Sequence, residues 1–178
     1  MGKVLTTVLA ALMALPLLAA NAGAQDEPPL KAFSAWNARG QIFETGENRM
    51  TFVGSFTGIV YVEQAQGPID AGYMICPTVV DVNTVDGKEK AKGRCTITTK
   101  DGARLYSDFE CNGVRMVGCN GEFTFTGGTE RFKGITGGGP VTIRSSVDDM
   151  AAGGGNIING VAAGIIVWPK LTYKLAAQ

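Results

Sequence analysis

The 178-residue sequence contains no histidine. That absence removes Ser-His-Asp and Cys-His nucleophile pairs, histidine-based zinc, copper and iron sites, and the commonest general base at neutral pH. Chemistry is left to carboxylates, tyrosines, lysines and four cysteines, Cys76, Cys95, Cys111 and Cys119. Asp108 and Glu110 share one face of an alternating segment and Glu122 stands on the next, and two carboxylates are the minimum for glycoside hydrolysis. The same alternation puts that face in water beside Arg104, so a solvated mixed-charge surface is the better account. Asp148-Asp149, ahead of Gly153-Gly154-Gly155, offers the hard oxygens that calcium takes, against the preferred reading of a solvated turn before a flexible loop. No catalytic, cofactor-binding or metal-ligating residue is assigned, and no cofactor is expected.

What the cysteines do depends on compartment. Lys3 supplies a positive start, Val4 to Ala20 is almost wholly apolar, and Ala22-Gly23-Ala24 has cleavage-site chemistry, so residues 1–24 read as a secretory signal peptide. The rival reading, an N-terminal membrane anchor, is opposed by Pro16 and by the small residues that follow the apolar run. Export to a periplasm or beyond is oxidising, and an even cysteine count without a C-x-x-C pair then reads as two disulfides. A four-thiolate zinc site is the alternative, although such ligands usually come in closely spaced pairs. Removal of the signal leaves one domain's worth of chain with 15 basic and 16 acidic residues. The basic residues are scattered, so nucleic acid is not expected as a partner. Ala162 to Trp168 is too short to span a bilayer, so no transmembrane segment is expected after cleavage.

Residues 25–32 form a polar, proline-containing leader, and the fold is expected to start near Phe33 and run to residue 178. From there β-branched and aromatic residues alternate with polar ones between Gly, Asn and Asp punctuation, giving about eight strands: 33–43, 50–63, 71–82, 91–99, 103–111, 118–126, 138–146 and 161–175. Odd positions face inward in 103–111 (Leu105, Ser107, Phe109, Cys111), in 118–126 (Cys119, Phe123, Phe125), in 138–146 (Val141, Ile143) and in the last strand (Ile165, Val167, Leu171, Tyr173). Even positions face inward in 71–82 (Met74, Cys76, Val80, Val82). One-sided burial along consecutive strands predicts an all-β fold, a single antiparallel up-and-down barrel.

Turn chemistry sets the registers. Asp86-Gly87 as a two-residue turn pairs Val80 with Gly93 and Thr78 with Cys95. Lys100-Asp101-Gly102 as a three-residue loop pairs Thr99 with Ala103 and Ile97 with Leu105. Cys76 and Cys95 become diagonal neighbours, helped by a bulge at Pro77, and Cys111 and Cys119 face each other through Asn112-Gly113. Cys76–Cys95 and Cys111–Cys119 are favoured among three connectivities.

The segment Gly127-Gly128-Thr129-Glu130-Arg131-Phe132-Lys133-Gly134-Ile135-Thr136-Gly137 resembles a glycine-rich stretch, roughly G-G-T-G-x-F-x-G-x-x-G, of allene oxide cyclase-like and dirigent-like proteins. The resemblance implies an eight-stranded antiparallel barrel of about this size, and Glu130 stands where the pattern has a third glycine. Read physically, the glycines end one strand and bend the chain back, while Phe132 plugs the core. Tyr61, Phe123, Phe125 and Tyr173 are candidate lumen-lining residues, for an interior that is either filled or holds one small ligand. The leading expectation is an exported binding module for a small apolar molecule. A cyclase- or isomerase-type enzyme needs a buried, unpaired carboxylate or tyrosine in the interior; alternation puts the strand carboxylates outside, and Glu63 or Asp81 pointing into a cavity would favour it. A ligand-free structural protein or homo-oligomer would use outward Tyr106 and Trp168 as a contact surface.

Overall fold

The computed structural model describes residues 28–152 and 158–176. The expected signal peptide and Gly153-Gly154-Gly155 lie outside the described residues, as do the side chains of Asp148 and Asp149. The described residues form eight strands: β1 (Leu30–Gly46), β2 (Arg49–Val62), β3 (Ile69–Asn83), β4 (Lys88–Thr98), β5 (Arg104–Val114), β6 (Gly118–Gly128), β7 (Thr136–Ala152) and β8 (Ile158–Lys174). Each pairs antiparallel with the next, and β8 returns to β1 to close the barrel. The chain enters the sheet at Leu30, earlier than expected, because Leu30 pairs with Leu171.

Alternation produces this closure directly, since each strand must turn its apolar side chains to one face for the sheet to roll around them. Met74, Cys76, Cys95, Ile97, Phe109, Cys111, Phe123, Val141 and Ile143 are all buried, while Lys90, Lys92, Arg94, Glu110 and Glu122 are exposed on the opposite face. The barrel's waist is filled with rings. Trp36 stacks on Phe56 at 4.6 Å between centroids, Phe56 on Phe109 at 6.3 Å, and Phe123 meets Trp168 edge-on at 5.3 Å.

The last strand departs from expectation. Ile166 and Trp168 face inward and Ile165 is exposed, whereas Leu171 is inward again. Ala32 pairs with Trp168 but Leu30 with Leu171, so β8 carries one extra residue across two of β1, a bulge at Pro169-Lys170 that switches the inward parity. Proline lacks the N–H a regular ladder would use, which suits it to that place. Trp168, only 2% exposed, therefore belongs to the core and cannot serve as an outer contact surface. Tyr106 does remain on the outer face, paired with Thr96 and Gly127.

Of the two expected turns, the Thr99–Ala103 loop has its expected register, with Ile97 opposite Leu105 and Gly102 at φ +85°. The β3–β4 turn is longer than two residues: Asn83 Oδ1 accepts from Val85 N–H at 2.9 Å and Asp86 Oδ1 from Lys88 N–H at 3.0 Å. These side-chain turns reset the pairing by two positions, so Thr78 meets Gly93 and Val80 meets Ala91, with every side chain on its expected face.

Both favoured disulfides are present. Cys76 and Cys95 lie directly opposite, not diagonally, with Cα atoms 4.0 Å apart. The ladder keeps one register on either side of Pro77, which makes no bulge. Cys111 and Cys119 are the diagonal pair at 5.5 Å, because Asn112-Gly113 stays within β5 and the turn comes later, at Arg115-Met116-Val117. With all four thiols oxidised, no thiolates remain for a zinc site.

Gly93 shows how tightly the waist is packed. A Cβ there would sit 2.5 Å from Phe109 Cε1 and 2.7 Å from both Pro77 O and Thr78 Oγ1. Gly93→Ala is therefore expected to lower stability by about 1–3 kcal/mol in urea unfolding at unchanged m-value. A change within about 0.5 kcal/mol would mean that the waist has slack.

Candidate functional site

The filled waist divides the lumen into two ends. One mouth carries the connections at 63–68, 99–103 and 129–135, and the other carries those at 47–48, 84–87 and 115–117. Side-chain size falls off toward the first mouth, where Leu30, Ala32, Val60, Val62 and Ala71 replace the rings of the waist. The space they leave is an apolar cavity of about 460 Å³ whose wall also includes Ile97, Leu105, Phe125 and Leu171, with Phe123 and Trp168 where it meets the waist. The second mouth holds a smaller recess of about 100 Å³, lined by residues including Trp36, Met50, Phe52, Phe56 and Glu89.

Three of the four candidate lumen residues, Phe123, Phe125 and Tyr173, line the larger cavity together. Tyr61 does not. Even positions face inward along β2, so Val60 and Val62 point into the cavity and Tyr61 stacks outside on Phe33 at 5.3 Å; the extra residue where the β2–β3 ladder shifts is Ala71, on β3. Phe132 is likewise no core plug: it is half-buried at the cavity's lip, on a single turn of 3-10 helix, Glu130–Phe132. Glu130 adopts φ +48°, the left-handed region that the glycine of the family pattern would occupy freely and that costs another residue roughly 1–2 kcal/mol.

The lip is charged but internally paired. Lys100 Nζ lies 3.3 Å from Asp70 Oδ2, and Arg131 forms an ion pair with Asp101 while its guanidinium sits 4.5 Å from the Phe132 ring centre. Asp101 also accepts a 2.5 Å hydrogen bond from Thr99 Oγ1. In the wall behind, the buried Trp168 Nε1 has no hydrogen-bond partner among the described residues, an uncommon state for an indole N–H.

The carboxylates that invited a hydrolytic reading are elsewhere. Asp108, Glu110 and Glu122 lie on the outer wall, where Arg94 Nε stands 3.6 Å from Asp108 and Lys90 Nζ 2.5 Å from Glu110. The Lys90 hydrogen bond, with its charge, holds Glu110 below the usual carboxylate range. Neither inward candidate enters the lumen: Glu63 is exposed, and Asp81 accepts a 2.6 Å hydrogen bond from Thr51 Oγ1 on the outer face. Glu89 does reach the second recess. The expected fourth strand starts at Ala91 and so leaves Glu89 out, although the odd-inward pattern of Ala91, Gly93 and Cys95 extends back to it.

No family model matches this chain, and no curated protein and no solved structure matches it.

The lip chemistry has a titration signature. The Thr99 hydrogen bond first, and then Arg131, lower Asp101 from an ordinary 3.8 to about 2. A depressed carboxylate stabilises the fold fully above its unfolded pKa, and that contribution is lost as pH falls through the folded value. The side-chain carboxyl carbon of Asp101 is therefore expected to titrate by NMR with a midpoint of about 2, and to move upward in Arg131→Gln. A midpoint at an ordinary aspartate value in the native chain would show that the pair does not form in solution.

Proposed function

We propose that this chain is an exported β-barrel binding protein that takes a small apolar molecule into the cavity at its first mouth. The observation that carries the reading is the cavity itself: about 460 Å³ of space walled by Leu30, Val62, Ile97, Leu105, Phe125 and Leu171. That volume falls within the range of small-molecule sites, and water gains little by occupying so apolar a surface. The two ion pairs at the lip leave no net charge there, which favours a ligand without formal charge. Trp168 in the wall can donate one hydrogen bond to a ligand bearing a carbonyl, ether or hydroxyl oxygen after a small side-chain adjustment. Export is supported by the signal-peptide pattern of residues 1–24 together with two disulfides. The Gly127–Gly137 pattern and the eight-stranded barrel support kinship with allene oxide cyclase-like and dirigent-like proteins.

A second reading, a cyclase- or isomerase-type enzyme, is favoured by Glu89, a carboxylate that lines the second recess together with Arg115, Met50, Phe52 and Phe56. The homo-oligomer reading loses Trp168 as a contact residue, because that side chain is buried inside the barrel.

Binding is tested with N-phenyl-1-naphthylamine, a neutral apolar dye that brightens on leaving water. Saturable enhancement with quenching of tryptophan emission is expected. Leu105→Trp, which fills the cavity from its half-buried wall, is expected to weaken the dye by about tenfold or more, equal to at least about 1.4 kcal/mol. Equal affinity in the filled variant, or non-saturable uptake, would remove the cavity as the site.

A further inference from the structure

The connection Thr129–Ile135 does more than join β6 to β7. It folds inward across the first mouth, so that Phe132 and Ile135 line the cavity from above and Ile135 is only 4% exposed. We infer that this strap is a hinged lid over the cavity, latched shut by the Arg131–Asp101 ion pair and carrying Phe132 as the ceiling that a bound molecule touches. The inference rests on the binding reading above and adds how access to that site is controlled.

Three features support a moving part. The strap is tied to the barrel at its start, where Thr129 N–H donates to Arg104 O at 2.9 Å and Arg104 N–H donates to Thr129 Oγ1 at 3.0 Å. Beyond that point the hydrogen bonds at Phe132, Lys133 and Ile135 are made to Thr129, Glu130 and Phe132, within the strap, so it can swing without breaking them.

Its two ends are built to bend. Gly128 lets the strap fold back on the strand, since a Cβ there would lie 2.6 Å from Phe132 Cβ, and Gly134 takes φ +73°.

Finally, the latch is weak by construction. Both partners are largely in water, Arg131 at 45% and Asp101 at 58% side-chain exposure, and exposed ion pairs contribute little and yield to salt. It joins the strap to the β4–β5 loop across the intervening strand β5, so breaking it frees the strap without unpairing any strand. Phe132 and Ile135 then lose apolar contact with the cavity wall, which a ligand filling the cavity would restore.

The test uses hydrogen exchange on the full oxidised chain, followed by stopped-flow mixing with N-phenyl-1-naphthylamine. In Arg131→Gln the strap amides are expected to exchange about fivefold faster while those of β5 and β6 keep their native rates. Raising salt from about 0.01 M to about 1 M is expected to do the same to the native chain and nothing further to the variant. Dye on-rates and off-rates should rise together in the variant, with the dissociation constant changed by less than either rate. Phe132→Ala, which keeps both partners of the ion pair while removing the ring beside Arg131, should raise the off-rate more than the on-rate. Strap amides that exchange only together with the barrel, or that ignore both Arg131 and salt, overturn the lid. A strap that opens as described while no variant takes up dye supports the hinge and overturns the ligand reading instead.

Discussion

Closure of the sheet on itself, β8 against β1, is the constraint from which the rest follows. Once eight strands are joined in a ring, the lumen has a set width, and what fills it is decided by the size of the inward side chain at each level. Rings and disulfides occupy the waist: Trp36, Phe56, Phe109, Phe123 and Trp168, with Cys76–Cys95 and Cys111–Cys119 on the same inner face. Toward the first mouth alanines and valines take their place, and the wall is too far apart for them to meet. The cavity lies where Leu30, Ala32, Val60, Val62 and Ala71 stand in place of rings, at the end of the barrel where β3 and β8 carry extra residues. The disulfides reinforce the two hairpins, β3–β4 and β5–β6, and cross-links of this kind typically contribute about 2–4 kcal/mol each.

The same closure separates two kinds of surface. Lys90, Lys92 and Arg94 of β4 stand opposite Glu110 and Asp108 of β5, so that wall is a set of exchanged charges in water and has no shielded carboxylate pair. Around the barrel, β2, β3 and β8 instead expose Val53, Tyr73, Ile75, Val161 and Ile165. The recesses of the outer wall are more open and more polar than those at the two mouths. Of the mouths, the first offers volume beneath the Thr129–Ile135 strap, and the second offers Glu89 and Arg115 in a smaller space.

Strand alternation made most of this legible in sequence. A period of two survives small errors in turn length, which is why the β3–β4 register could be two residues off while Met74, Cys76 and Cys95 kept their faces and the disulfides paired as expected. Legibility failed where one extra residue enters a strand. The bulge at Pro169-Lys170 turned Ile166 and Trp168 inward, whereas Tyr61 faces out by ordinary alternation along β2, where the even residues Phe52, Phe56, Val60 and Val62 face in. Such an insertion reverses parity without leaving a periodic signal, although a proline in mid-strand marks this one. Glu89 was hidden for a different reason, as a charged residue just before an apolar pattern looks like a strand end. The strap could be seen as a glycine-rich segment, but that it folds over the mouth depends on Arg131 meeting Asp101, some thirty residues away.

On the binding proposal, the barrel's usable interior lies at one mouth, above the ring-filled waist. Methyl-resolved NMR of the oxidised chain during titration with a neutral apolar ligand tests this most directly. Saturable shifts are expected at Ile97, Leu105, Ile135 and Leu171, with Ile42 and Val82 at the far end and Ile75 on the outer wall unmoved. Shifts confined to Ile42 and Val82, or to the outer wall, would contradict it.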